Sequence, residues 1–271
     1  MLTEALLDAA AVRLIATAIV IIGVTWSVKL FGPLIGGVLA GLPITLGPGF
    51  YFLVGEAPPG FVARTASYAL LSLCATQSFL PAYILLARRR SPLIALGGGI
   101  ATWVLIAFLL HFLPSPLWLG LLLFVGTTCL SLRLSSRALL PVKLLGSKTG
   151  WGSLLLRGVL AGILVAGVTT QSHRLGATTS GILLSFPIGF SVISFTLHQQ
   201  MGKAVAMATL HSAILGTASL AGFCIALTLA IPHLSPYAAM GIALLTSFAV
   251  TFALLLQRRA QPRSHPTSSQ G

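Results

Sequence analysis

The sequence predicts an all-α polytopic transmembrane bundle of nine helices. They form an inverted-topology internal repeat in which spans 1–4 and 6–9 correspond and span 5 links them. Three observations lead there. The 271-residue chain is 56% hydrophobic and 7% charged, with a mean hydropathy of +1.00, more apolar surface than a soluble core can hide. Residues 65–87 carry no charge and 91–132 carry only His111, so stretches of about 20 apolar residues, enough to cross a bilayer, fit repeatedly. Finally, residues 13–53 lie on 157–197 without a gap at a shift of 144, with identities that include Arg13/Arg157, Gly32/Gly176, Gly37/Gly181, Pro43/Pro187 and Leu53/Leu197. Two copies of one unit in a membrane protein are the usual frame of a solute pathway.

Hydropathy and punctuation place the spans at 9–31, 33–54, 61–87, 92–112, 116–133, 151–172, 176–198, 203–231 and 236–257. Pro33, Pro58, Pro59, Pro92, Pro114, Pro116, Pro232 and Pro236 fall at the start of a span or just outside it, where a missing amide donor costs least. The start of the chain, with Glu4 and Asp8, lacks the basic opening of a secretory signal and is read as a retained first span. The resulting division is a first transmembrane repeat over 1–112, a linker helix and loop over 113–150, a second repeat over 151–257 and a polar tail, expected to be disordered, over 258–271.

Arg88, Arg89 and Arg90, then Arg133, Arg137, Lys143 and Lys148, then Arg258, Arg259 and Arg263 follow spans 3, 5 and 9. The positive-inside rule puts all three groups in the cytoplasm. Nine spans satisfy this only with the amino terminus outside and the carboxyl terminus inside, so span 1 and its sequence partner, span 6, run in opposite directions. Membrane orientation accounts for the formal charge of +13. No basic stripe with interleaved aromatics marks a nucleic-acid surface. Cys74, Cys129 and Cys224 sit in apolar segments without metal-ligand spacing and read as packing residues.

The densest motif runs from Gly32 to Gly49 through Pro43 and is answered by Gly176 to Gly189 through Pro187. A proline at mid-membrane frees a carbonyl that lipid cannot satisfy, so each is expected to break its helix toward the protein interior. Gly36, Gly37 and Gly41, with Gly181 and Ser185, present small faces for close helix approach. A half-helix starting after each proline directs its amide end to the midplane, where it favours anions or carbonyl oxygens. A plain packing kink is the competing reading for either proline alone; its recurrence in both copies favours a functional break.

The candidate solute-binding residues are Pro43, Thr45, Tyr68, Gln77, Ser185, Pro187 and His211, with Tyr51, Tyr83, Ser180, Ser191, Ser194 and His198 as further polar neighbours. A shift of 143 after the loop pairs Tyr68 with His211, the leading midplane candidates; histidine also titrates near neutrality. Arg13 and Arg157 occupy equivalent positions, as do Lys29 and His173, with Arg174 beside the latter. Their side chains either snorkel to headgroups or form basic collars that draw an anion into each vestibule.

No Asp or Glu falls inside any span, which argues against ion coupling through a buried carboxylate and against paired-carboxylate catalysis. Walker, HExxH and CxxC motifs are lacking, and no nucleophile elbow surrounds Ser180. No catalytic residue, metal or cofactor is expected, and the chain is not read as an enzyme.

The run Ser27-Val28-Lys29-Leu30-Phe31-Gly32-Pro33 through Pro43, followed by an apolar helix and Arg64, resembles the small four-helix GlpM-like bacterial membrane proteins, as though two such units were fused. Ser27 and Lys29 become Gln171 and His173 in the second copy. The resemblance implies an inner-membrane protein and carries no substrate. Taken together, the expectation is a multi-pass inner-membrane carrier or facilitator of a small organic or anionic solute, working by alternating access. Its partners are the lipid bilayer and the solute, with self-association left open and nucleic acid excluded. The alternative is a non-transporting scaffold or regulatory module for a partner protein.

Overall fold

The fold is that of a computed structural model, which describes residues 37–43, 46–141 and 172–260 together with Ile15, Ile35, Val159 and Ile163. The described residues contain no strand. Among the described residues the helices of stated bounds are, in order, α1 (Leu46–Glu56), α2 (Pro59–Ala87), α3 (Pro92–His111), α4 (Leu117–Ser136), α5 (Ser172–Leu184), α6 (Ile188–Met201), α7 (Lys203–Ala230) and α8 (Pro236–Ala260). Among the described residues, six segments are long and apolar enough to cross a bilayer: α2, α3, α4, the stretch Arg174–Met201 through α5 and α6, α7, and Pro236–Gln257 of α8. Predicted spans 1 and 6 lie outside the described residues, save for isolated positions.

Local chemistry sets most boundaries. Proline stands in the first turn of α2 and α3, where its fixed φ suits a helix start. Gly202 takes φ 86°, a left-handed value that a side chain resists, and so reverses the chain between α6 and α7 without a longer loop. Gly176, at φ 74° and ψ 167°, interrupts α5 in the same way. Two predicted bounds shift. The fifth span ends at Ser136 rather than 133, and α8 runs on to Ala260, so the first three residues of the predicted tail are helical. Arg258, Arg259 and Ala260 are good helix formers and continue the helix past the apolar stretch.

The long helices α2 and α7 form the centre. In its most apolar window α2 is 78% buried, against 17% for α4. The outer helices α3, α4 and α8 turn Phe108, Trp118, Leu122, Leu245 and Phe252 outward, as lipid-facing helices do. Contacts between α2 and α7 pair rising numbers with falling ones: Gln77 reaches Ile214 and Thr217, and the Arg88 carbonyl accepts from Lys203 Nζ at 2.9 Å. The two central helices are therefore antiparallel, with Arg88 and Lys203 at one end. At the other, Tyr51 packs on Tyr237 with ring centroids 5.8 Å apart.

A proline in mid-helix that the punctuation rule passed over, Pro81, is buried inside α2. It has no amide for the carbonyl of Gln77, four residues back. Ser131 of α4 supplies the missing donor, its Oγ lying 2.8 Å from that oxygen. The predicted linker helix thus packs against α2 as its polar partner.

Candidate functional site at two helix breaks

Around Pro43 the helix that holds Gly37, Val38 and Leu39 ends, the chain passes through a turn, and α1 begins at Leu46. Around Pro187, α5 ends at Leu184 and α6 begins at Ile188. The backbone hydrogen bonds of the two breaks match at a shift of 144. Gly41 N donates to Val38 O and Leu42 N to Leu39 O, as Ser185 N does to Ile182 O and Phe186 N to Leu183 O; Gly47 N donates to Pro43 O and Ser191 N to Pro187 O, both at 2.7 Å. Tight turns of this kind reuse carbonyls that the broken helix would strand.

One carbonyl in each break takes its partner from a central helix. Ser219 Oγ of α7 donates to Gly41 O at 2.5 Å, and Thr76 Oγ1 of α2 donates to Ser185 O at 2.8 Å. Gly41 and Ser185 are themselves 144 apart. Hydroxyls thus do for both breaks what water cannot do in a bilayer.

Glycine sets how closely these segments approach. A Cβ on Gly37 would strike the Thr209 carbonyl oxygen and lie 2.6 Å from Ser212 Cβ and 3.0 Å from Ala213 N. On Gly181 it would strike the Thr65 carbonyl oxygen and lie 2.9 Å from Tyr68 Cβ and 3.0 Å from Ala69 N. Each partner of Gly37 is 144 residues beyond the corresponding partner of Gly181. The packing therefore matches Tyr68 to Ser212, which corrects the 143-residue register that paired Tyr68 with His211. Backbone contact, rather than side-chain likeness, fixes the match.

Both breaks face one small cavity of about 30 Å³, lined by Ala40, Leu42, Leu46, Leu73, Thr76, Leu184, Ser185, Phe186, Pro187, Gly189, Phe190 and Leu220. Eight of these twelve form four pairs at the same shift: 40 with 184, 42 with 186, 46 with 190 and 76 with 220. The volume holds roughly one or two waters, too little for an organic solute in this conformation. Trp103 of α3 backs this wall, its Nε1 donating to Thr76 Oγ1 at 3.3 Å and its ring set edge-on to Phe186 at 4.8 Å. Compared with family models, with curated proteins and with solved structures, the chain finds no match in any of the three.

Of the predicted site residues, Pro187 and Ser185 line the cavity and Pro43 is buried at the first break. Ser185 Oγ reaches the Ala69 and Gly181 carbonyl oxygens at 3.1 and 3.0 Å. Tyr68 is half-buried against Gly181 and lies off the cavity lining. His211 is placed elsewhere, on α7 facing α4, with Nδ1 2.7 Å from Ser135 Oγ. Thr45, Arg13, Lys29, Arg157 and the side chain of His173 lie outside the described residues.

Gln77, also absent from the lining, joins three helices instead. Its Nε2 donates to Thr128 Oγ1 of α4 at 2.9 Å and to Thr217 Oγ1 of α7 at 2.6 Å, with the Ile214 carbonyl at 3.2 Å. The protons of both threonines already go to carbonyls of their own helices, which fixes the amide orientation and leaves Oε1 buried without a partner. Gln77→Leu removes that stranded oxygen along with the amide donors while keeping the volume. It is expected to change unfolding stability in detergent by less than about 1.5 kcal/mol, whereas Gln77→Ala, which opens a cavity, loses about 2–4 kcal/mol. Equal losses for the two would show that hydrogen bonding, not packing, is what Gln77 contributes.

The residues the sequence reading passed over are Thr76, Ser219, Ser131 and Trp103. Apart from tryptophan, all are small hydroxyls in apolar helices. The usable signal was a proline or break on a neighbouring helix in need of a donor.

Proposed function

We propose that the chain is a secondary carrier or facilitator for a small organic or anionic solute, built from two inverted copies that rock about the paired breaks. The single observation that carries this reading is the shared cavity, where both broken segments meet and four pairs of lining residues recur at one shift. Antiparallel α2 and α7, and the recurring glycine contacts, suit inverted copies. Inverted copies have two related conformations of similar energy, open to opposite sides, which is a basis for alternating access. In this proposal the solute binds between the segments broken at Pro43 and Pro187, and the small cavity there widens as the two halves rock. The amino terminus lies outside and the carboxyl terminus in the cytoplasm, and the resemblance of each half to GlpM-like proteins adds an inner-membrane location. Reporter fusions at residues 56, 90, 113 and 148 check the orientation; a cytoplasmic signal at 56 would overturn the span count.

Flux in reconstituted vesicles tests transport. Candidate solutes come from comparing metabolites inside and outside cells that lack or overproduce the protein. The double variant Pro43→Ala, Pro187→Ala restores a backbone donor at each break and lets each helix close. It is expected to insert normally and to lose flux severalfold. Unchanged flux in that variant would count against the proposal. The scaffold reading draws on the close contact of Gly41 with Gly216, which suits a permanent interface. It predicts no solute flux at all.

A further inference from the structure

We infer that the two ends of the bundle open with unequal ease, and that the carrier rests open toward the end marked by Arg88 and Lys203; this rests on the transport reading above. The inference comes from what differs between positions 144 residues apart. On one side, Tyr83 of α2 reaches across to α6, with its Oη 3.1 Å from the Ser194 carbonyl oxygen and 3.1 Å from His198 Nδ1. A carbonyl only accepts, so the tyrosine proton goes to Ser194 and the Nδ1–H of His198 donates to Tyr83. Nearby, Lys203 Nζ holds the Arg88 carbonyl.

The matching positions in the other half are Leu227 for Tyr83, Phe50 for Ser194 and Val54 for His198, with Pro59 and Pro232 in place of Lys203 and Arg88. There α1 meets α7 through Phe50 and Phe223, ring centroids 5.8 Å apart, and all four apolar side chains are buried. Phe223 itself matches Phe79, so the contrast is confined to the substituted positions. Opening the polar end exposes the buried ring of Tyr83, as opening the other exposes Leu227, but at Ser194 and His198 it only exchanges hydrogen bonds for equivalent ones to water, at small net cost. Opening the apolar end adds Phe50 and Val54 to the surface exposed to water, with nothing in return. A ligand-free carrier therefore populates the state open at the Tyr83 end over its counterpart.

The test uses the full chain with Cys74, Cys129 and Cys224 replaced by alanine and a single cysteine introduced as Ser191→Cys or Gly47→Cys. These are matched positions beside the cavity, on α6 and α1, and a Cβ on Gly47 has its nearest neighbour 4.0 Å away. A membrane-impermeant maleimide is applied to oriented vesicles from each side in turn. The Ser191→Cys protein, probed from the Arg88 face, is expected to react at least about tenfold faster than the Gly47→Cys protein probed from the opposite face, as unequal populations require. Adding Tyr83→Phe, which removes the hydroxyl that bridges α2 to α6, should raise the Ser191→Cys rate further. Equal rates, or a faster Gly47→Cys, overturn the bias and leave alternating access standing. If neither cysteine reacts from either side while both react in denaturant, the interface is static, and the transport reading falls together with the bias.

Discussion

Gly41→Leu is expected to destabilise the native bundle strongly, the largest single-residue effect predicted for the described fold. The Cα of Gly41 faces the backbone of Gly216, and a Cβ there would overlap the Gly216 carbonyl carbon and oxygen and lie 2.7 Å from its Cα. A clashing side chain can change rotamer, but backbone can yield only by moving a helix. Moving α7 away also pulls Ser219 Oγ from the Gly41 carbonyl, so a stranded acceptor is added to the steric cost. Overpacking by itself costs about 1–3 kcal/mol and a buried orphaned acceptor about 1–3 kcal/mol more. The sum is a large part of a typical domain's stability of about 5–15 kcal/mol. The fraction that elutes folded and monodisperse in mild detergent measures it. Gly97→Leu and Gly126→Leu serve as controls, because nothing lies within 4 Å of a Cβ at either position. Should Gly41→Leu fold as well as those two, the close crossing of the first break with α7 does not hold.

The second large effect is expected from Thr76→Val combined with Ser219→Ala. Valine matches threonine in shape, so the first change removes a hydroxyl and little else. It leaves Ser185 O without its donor at 2.8 Å and takes from Trp103 Nε1 its acceptor. Ser219→Ala does the same to Gly41 O. Each orphaned carbonyl costs about 1–3 kcal/mol, and the two losses should add unless the breaks share an adjustment. Thr102→Val is the comparison. That hydroxyl bonds to Gly98 O, four residues back in its own helix, a carbonyl that the helix amide already serves, and the expected change is within about 0.5 kcal/mol. Equilibrium unfolding in mixed micelles reads all three. A double variant no weaker than Thr102→Val would mean that water takes over both carbonyls, and the hydroxyls would then have no structural role at the breaks.

Some of the site was legible because its causes are local. Proline at 43 and 187 removes an amide donor at a fixed place and recurs at one spacing, so both breaks could be placed from the sequence to within a few residues. Pro81, which α2 carries without breaking because Ser131 serves the freed carbonyl, shows that the surroundings decide whether a proline breaks its helix. The 144-residue spacing was visible too, and it recurs in the contacts of Gly37 and Gly181. Tyr68 and His211 went astray for an instructive reason. The match is carried by backbone approach, while the side chains at matched positions, such as Tyr68 and Ser212, have diverged. Thr76 and Ser219 escaped self-comparison because they are not matched positions at all: Ser219 aligns with Ala75 and Thr76 with Leu220. Neighbouring positions on a helix reach one carbonyl from slightly different directions, so the same need is met one residue apart.

Composition determined that this chain is helical and carries repeated apolar segments long enough to cross a bilayer, and the recurrence of proline at 43 and 187 marked where two of its helices break. Each of these follows from free energies counted residue by residue: transfer of apolar side chains out of water, and loss of one amide donor. Only the tertiary structure decided which hydroxyl serves which freed carbonyl, that Gln77 ties α2 to α4 and α7 instead of facing the cavity, and that Tyr83 meets His198 on one side while Phe50 meets Phe223 at the matching place. Those outcomes depend on pairs of groups up to 178 residues apart, and a hydrogen bond formed over such a separation leaves no periodic trace in either segment.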